Sequence, residues 1–345
     1  MKGLFTTSGI TPSRGTTRHD NCLAPQFLAP LLLLLLMLNG CVSTPSCNQP
    51  LHTRWVDKAQ LTQDLQVLTS SEFQGRKTRT RGAKLTQDYL ASRFEALKLT
   101  PWQGSYYAPF KYGFLFSTRE GVNMIGVFPA QKPSSRWRII TAHYDHLGKQ
   151  GSHYYPGADD NASGVAALLS IAAQWQREPM EEVNLMLVAT DAEEPGLYGA
   201  YGLVGQLKTM PEMQIELALN LDMIGHPSRP HAIYMEGEKN LANFDTLAPT
   251  LTQHSKLCLR VNRARVRGAS SLNIDWLRAS DHYAFHKADI PWLYLGVPPH
   301  KNYHTVNDTL ETINLDFLGA TTELAFELIN LSSEQLKPLK PKIKE

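Results

Sequence analysis

Four short runs of Val, Ile and Leu constrain this chain more than any other feature. They are WRIITAHYD (137–145), VNLMLVAT (183–190), IELALNLDMIG (215–225) and IPWLYLGV (290–297). Runs that are apolar at nearly every position suit strands covered on both faces, not strands with one wet face. Between the first two lies SGVAALLSIAAQWQ (163–176), which reads as a helix starting near Asn161 or Ser163. Strands alternating with helices imply an α/β fold, a mixed and mostly parallel central sheet flanked by helices on both faces. In open sheets of this kind a ligand sits just beyond the carboxyl ends of the strands.

The polar residues of this stretch fall at those ends. His143 and Asp145 close the first run, and Asp159 and Asp160 follow in the loop GADDNASG. Glu193 and Glu194 follow the second run, Asp222 closes the third, and His304 comes just after the fourth. A lone HxD is more often a hydrogen-bonded pair than a metal site, and adjacent acids are usually a solvated loop. Gathered on one rim, however, so many carboxylates and imidazoles require cations, because close like charges disfavour mutual ionisation. Nitrogen and oxygen donors without cysteine suit zinc in a catalytic site.

Composition narrows the alternatives. A formal charge of +2 over 345 residues argues against a nucleic-acid partner, whose binding draws on a strongly basic face. The basic runs GRKTRTRG (75–82) and RVNRARVRG (260–268) lack interleaved aromatic residues and read as solvated loops or edge strands. No GxSxG occurs, which leaves no nucleophile elbow for a serine hydrolase. Helical spacing marks AQLTQDLQVLTS (59–70) and a helix over 83–99 with Leu85, Tyr89, Leu90, Phe94 and Leu97 inward.

The beginning of the chain reads as an address. FLAPLLLLLLMLNGC holds an apolar stretch of about a dozen residues, short of the ~20 that span a bilayer, and suits the core of an export signal. Its end, LNGC (38–41), resembles a bacterial lipobox, in which Cys41 would receive lipid; the plainer reading is cleavage nearby without lipid. The expected organisation is an export signal over 1–40, a tether over 41–60, one domain over 61–335 with a variable insertion near 231–277, and a basic tail over 336–345. Removal of 1–40 leaves Cys41, Cys47 and Cys258, and a lipidated Cys41 would leave Cys47 and Cys258 as the only intrachain pair, though spacing leaves open whether they meet.

In order, TAHYDHLG, PGADDNASGVAALL, DAEEPGLYGA, LNLDMIG, SDHYAFHKADIP and YHTVNDTLETI resemble the successive motifs of the co-catalytic di-zinc aminopeptidases, the family of secreted bacterial leucine aminopeptidases and aminopeptidase Y. The resemblance runs from about Leu61 to Leu331 and is weakest over 231–277. It implies a zinc-peptidase fold and two Zn2+ per chain. Asp160 would bridge the ions, His143 and Asp222 would complete one, and Glu194 and His304 the other. Glu193 would be the general base acting with a metal-bridging hydroxide, and Asp145 would orient His143 through its second ring nitrogen. The implied substrates are peptides with a free N-terminus, for a protein exported from a bacterial cell and lipid-anchored or periplasmic, with no membrane contact beyond that anchor. Glutaminyl cyclases, acyltransferases on a similar scaffold, work with one zinc and lack the first histidine, whereas His143 is present here. A metal-free binding protein on the same fold is the other alternative. Asp281 and His282 suit either the rim or a loop hydrogen-bond network, Tyr283 and Tyr303 a pocket wall, and Trp292 the core. His146, His153, His226, His286 and His300 carry no spacing signal and read as surface or internally satisfied.

Overall fold

The computed structural model describes residues 47, 49–227, 229–261 and 274–337. The export segment, Cys41 and the tail from 338 onward lie outside them, as does most of the basic run over 260–268. The strands are β1 (Thr100–Pro101), β2 (Tyr107–Phe114), β3 (Ser117–Phe128), β4 (Arg136–His143), β5 (Lys149–Gln150), β6 (His153–Tyr154), β7 (Asn184–Thr190), β8 (Gln214–Asp222), β9 (Ala232–Glu236), β10 (Cys258–Arg260) and β11 (Trp292–Gly296). The main helices are α1 (Lys58–Leu68), α2 (Arg81–Ala96), α3 (Gly164–Arg177), α4 (Tyr198–Leu207), α5 (Phe244–Ser255), α6 (His282–His286) and α7 (Leu315–Ile329).

Among the described residues one sheet runs in the order β1-β3-β7-β4-β8-β11-β9-β10, with β2 beside β3. Its centre, β7-β4-β8-β11, is parallel and is built from the four apolar runs. β3 and β9 flank it antiparallel. Ile140, Leu187, Leu219 and Leu295 face one side, against Leu65 of α1, Leu90 of α2, Leu168 of α3 and Phe317 of α7. Ile139, Val188, Ala218 and Tyr294 face the other, against Leu203 of α4 and Phe285 of α6. Burying an aliphatic side chain of this size is worth about 1.5–3 kcal/mol, so strands with apolar side chains on both faces are held by both layers at once.

Three differences from the sequence reading have physical causes. α2 begins at Arg81 and buries Ala83, Thr86, Gln87, Leu90 and Phe94, leaving Leu85 and Tyr89 half-buried; the stripe is rotated because small and polar residues, not only large apolar ones, meet the sheet. The segment expected to be a tether is packed from Leu51 on. Leu51 and Val56 are buried, and Glu323 of α7 accepts the backbone N–H groups of Trp55 at 2.8 Å and Val56 at 3.3 Å and the Arg54 Nε at 2.8 Å. The stretch beginning at residue 231 supplies β9 and β10, which continue the sheet. There a disulfide joins Cys47 to Cys258.

Candidate metal centre

Because β4, β7, β8 and β11 are parallel, their carboxyl ends share one rim. His143 is the last residue of β4 and Asp222 the last of β8; Glu193 and Glu194 follow β7, and His304 follows β11. Asp160 is delivered by the loop between β4 and α3. Two glycines let that loop come close: a Cβ on Gly157 would lie 2.2 Å from the Asp160 carbonyl oxygen, and one on Gly164 would lie 2.6 Å from the Leu221 carbonyl oxygen on β8. Gly157 also has φ of +58°, which favours glycine. Ala192, Met223 and His304 have φ near +55° although they are not glycine. Such backbone strain tends to gather at functional sites.

The side chains form two groups that share Asp160. In the first, His143 Nε2 is 3.3 Å from Asp160 Oδ1 and 3.2 Å from Asp222 Oδ1. In the second, His304 Nε2 is 3.1 Å from Asp160 Oδ2 and 3.2 Å from Glu194 Oε2. Asp160 thus offers one oxygen to each group, and its Oδ2 is buried without a hydrogen-bond donor. Burial works against ionisation of Asp160, but His146 and His143 hold its carboxyl well below the ordinary range. Burial also opposes charge on His304, yet the Asp160 and Glu194 carboxylates beside its ring raise it to about 10. Burial pushes Glu193 well above the carboxylate range, with Asp222, Asp281 and Glu194 adding to the rise. A cluster that draws protons onto its histidines in this way is one that calls for cations, and its mixed N/O donors suit zinc.

Glu193 lines the cleft beside both groups, whose wall includes Met223, Trp276, Val297 and Tyr303. Asp145 lies behind His143, as its neighbouring position suggests, with its backbone oxygen the nearer group. His143 Nδ1 meets the Asp145 backbone oxygen at 3.1 Å, while the carboxylate is 3.8 Å away. That carboxylate instead accepts the backbone N–H of Glu193 at 3.0 Å and of Glu194 at 3.4 Å, fixing the turn that carries both glutamates. Asp159 is buried, accepting from Gly225 N at 2.6 Å and facing His300 Nε2 at 3.0 Å. Asp281 accepts from the Thr190 hydroxyl, and His282 Nε2 meets the Trp276 carbonyl at 2.8 Å. Trp292 is in the core, whereas Tyr283 is not among the residues lining the cleft.

Three residues here were given no part in the site by the sequence. His146 is buried in the second group, its Nδ1 2.7 Å from Glu194 Oε1 and 3.6 Å from Asp160 Oδ2. The signal was its place directly after Asp145 at a strand end. Asp308, four residues past His304, accepts the N–H groups of Asp159 and Asp160, each at 3.0 Å, and so ties two rim loops together. Arg76, from a run read as solvated, is fully buried; its guanidinium donates to the carbonyls of Tyr144 (2.8 Å), Leu68 (2.7 Å) and Gly157 (2.8 Å). It places a fixed positive charge behind the acidic rim.

Residues 123–329 match Peptidase family M28. The chain is 27% identical over 223 residues to aminopeptidase YwaD of Bacillus subtilis, covering 61% of this chain and 44% of that one. It is 29% identical over 186 residues to Probable lipoprotein aminopeptidase LpqL of Mycobacterium tuberculosis, covering 48% and 37%. The chain therefore spans less than half the length of these relatives. Among solved structures, a zinc aminopeptidase from Bacillus subtilis superposes with a TM-score of 0.64 at 15% identity, covering 84% of this chain and 100% of that one. A glutaminyl cyclase from Fimbriiglobus ruber gives 0.62 at 18%, covering 82% and 98%. At these identities the likeness is one of fold, and it shows the α/β architecture with its mixed sheet.

Proposed function

Because this chain belongs to Peptidase family M28, we propose that it is a zinc-dependent aminopeptidase that removes residues from the free N-termini of peptides. The observation that carries the reading is Asp160, whose two carboxylate oxygens face two separate groups of nitrogen and oxygen donors. His143, Asp160 and Asp222 would hold one zinc ion, and Asp160, Glu194 and His304 a second. Bound there, paired zinc ions would polarise the scissile carbonyl and lower the pKa of the attacking water.

The remaining work falls to the chain's own side chains. Glu193, beside both groups but outside them, takes the proton from water and passes it to the leaving amine. Asp145 keeps Glu193 and Glu194 in register by holding their N–H groups. The acidic rim attracts a free α-ammonium group, and the apolar wall of Met223, Trp276 and Val297 takes the N-terminal side chain. Asp160, Glu194 and Asp222 would offset three of the four positive charges of two zinc ions held there.

Export supports the same reading. The leucine run and LNGC motif suit a lipid-anchored or periplasmic enzyme with a single peptidase domain, and the name of the mycobacterial relative is that of a lipoprotein. Among the described residues no helix is long and apolar enough to cross a membrane. Glutaminyl cyclase chemistry is the competing activity on this fold. His143 completing a group with Asp160 and Asp222 favours two metals over one.

The test is zinc content together with a pair of assays on zinc-replete protein: hydrolysis of aminoacyl-anilides, and cyclisation of peptides beginning with glutamine. Two zinc ions with anilide hydrolysis are expected. One ion with cyclisation and no hydrolysis would replace this reading with the cyclase.

A further inference from the structure

We propose that His146 is a fourth protein ligand to the zinc ion on Glu194 and His304, which makes the two metal positions chemically unequal. The inference rests on the zinc-peptidase reading and goes beyond its five ligands. His146 is buried at the end of the turn after β4, and a Cβ on Gly157 would lie 2.5 Å from its ring, so that glycine is what lets the ring sit there.

Four donors held about 2.0–2.1 Å from a tetrahedral zinc lie roughly 3.3 Å from one another. His304 Nε2 stands 3.1 Å from Asp160 Oδ2 and 3.2 Å from Glu194 Oε2, and His146 Nδ1 stands 3.6 Å from Asp160 Oδ2. These three separations have about the length of a tetrahedron's edges, they meet at Asp160 Oδ2 and His304 Nε2, and the four side chains offer ligand atoms all within 4.8 Å of one another. A simple hydrogen bond from His146 to Glu194, whose Oε1 is 2.7 Å away, accounts for one of its contacts but not for the approach to Asp160. On the other side, His143, Asp160 and Asp222 supply three donors and leave a position open. Closed four-ligand sites hold zinc structurally, while three-ligand sites keep a place for water or substrate. With four protein donors the ion on His146 would be the more firmly held of the two, and the ion on His143, with three, would have more room for water or substrate. The far nitrogen of His146, Nε2, is buried without a partner, unlike His143 Nδ1, which has the Asp145 carbonyl behind it. His146 is accordingly the less strongly oriented of the two imidazoles.

The experiment is zinc titration of metal-free protein against chelators of graded strength, for wild type, His146→Ala and His146→Asn. Wild type should take up two ions, the first more tightly. Both variants should lose more than about 100-fold in affinity for the tighter ion, beyond the roughly 10–100-fold typical of losing an outer hydrogen-bond partner. The weaker ion should be kept. Asparagine can still donate a hydrogen bond to Glu194, so near wild-type affinity in His146→Asn would overturn the proposal. Should the variants fail to fold, zinc X-ray absorption on wild type with one equivalent bound decides: two imidazoles at that ion support the proposal, and one overturns it. Wild type that binds no zinc would instead defeat the peptidase reading itself.

Discussion

Neighbouring residues of identical chemistry stand in different contacts at this rim. Glu194 stands within 3.2 Å of His304, whereas Glu193 reaches the cleft from outside both groups. Glu193→Gln should keep two zinc ions and lose roughly 10²–10⁴-fold in kcat, since proton transfer alone is removed. Glu194→Gln should lose one ion. Metal analysis beside steady-state kinetics checks both, and a Glu193→Gln protein that sheds zinc would reverse the roles. Asp160→Asn should weaken both ions. Asp159→Asn should keep them but lower stability by about 1–3 kcal/mol, because its buried carboxylate ties the metal loop to Gly225 and His300; chemical denaturation reads this directly. Motif order in the sequence named His143, Asp160, Glu194, Asp222 and His304, the residues that the structure gathers into two groups sharing Asp160. It did not carry the contacts of His146, Asp308 or Arg76, which join segments far apart in the chain, 48 residues for His146 to Glu194, 149 for Asp308 to Asp159 and 81 for Arg76 to Gly157, and no local spacing encodes those meetings.

Strands proved the most readable elements because each is sandwiched: an apolar residue at nearly every position has no other use in a chain of this polarity. Where contact with one distant side chain decides the structure, the pattern was silent. Residues 51–57 look like a polar linker, yet Glu323, some 268 residues on, gathers their backbone N–H groups. The edge of the sheet gives a similar case, since β10 is tied by the Cys47–Cys258 disulfide across 211 residues of sequence. Cys258→Ser should cost about 2–5 kcal/mol of unfolding free energy, chiefly by freeing the unfolded chain. Zinc content should be unchanged, because β10 is two strands away from β11. Equal denaturation midpoints with and without the bond would contradict that, as would loss of metal.

At the scale of the molecule, a rim of buried carboxylates is tolerable when cations fill it, so folding and metal binding are coupled. Chelation should lower the melting temperature as well as abolish activity, and zinc should restore both. A chelated protein with an unchanged melting temperature would separate the two. Location is an independent matter: Cys41→Ser should shift the exported protein out of the membrane fraction and remove the mass of a lipid from the mature N-terminus, and an unaltered mass and partition would end the lipoprotein proposal. The central claim is that this rim, with its acidic side chains and two zinc positions, acts on a free N-terminus. It is tested most directly by comparing hydrolysis of one peptide with its N-acetylated twin on zinc-replete enzyme. The free peptide should be shortened from its N-terminus while the acetylated one, lacking charge and lone pair at that nitrogen, stays intact; comparable cleavage of both would contradict the account.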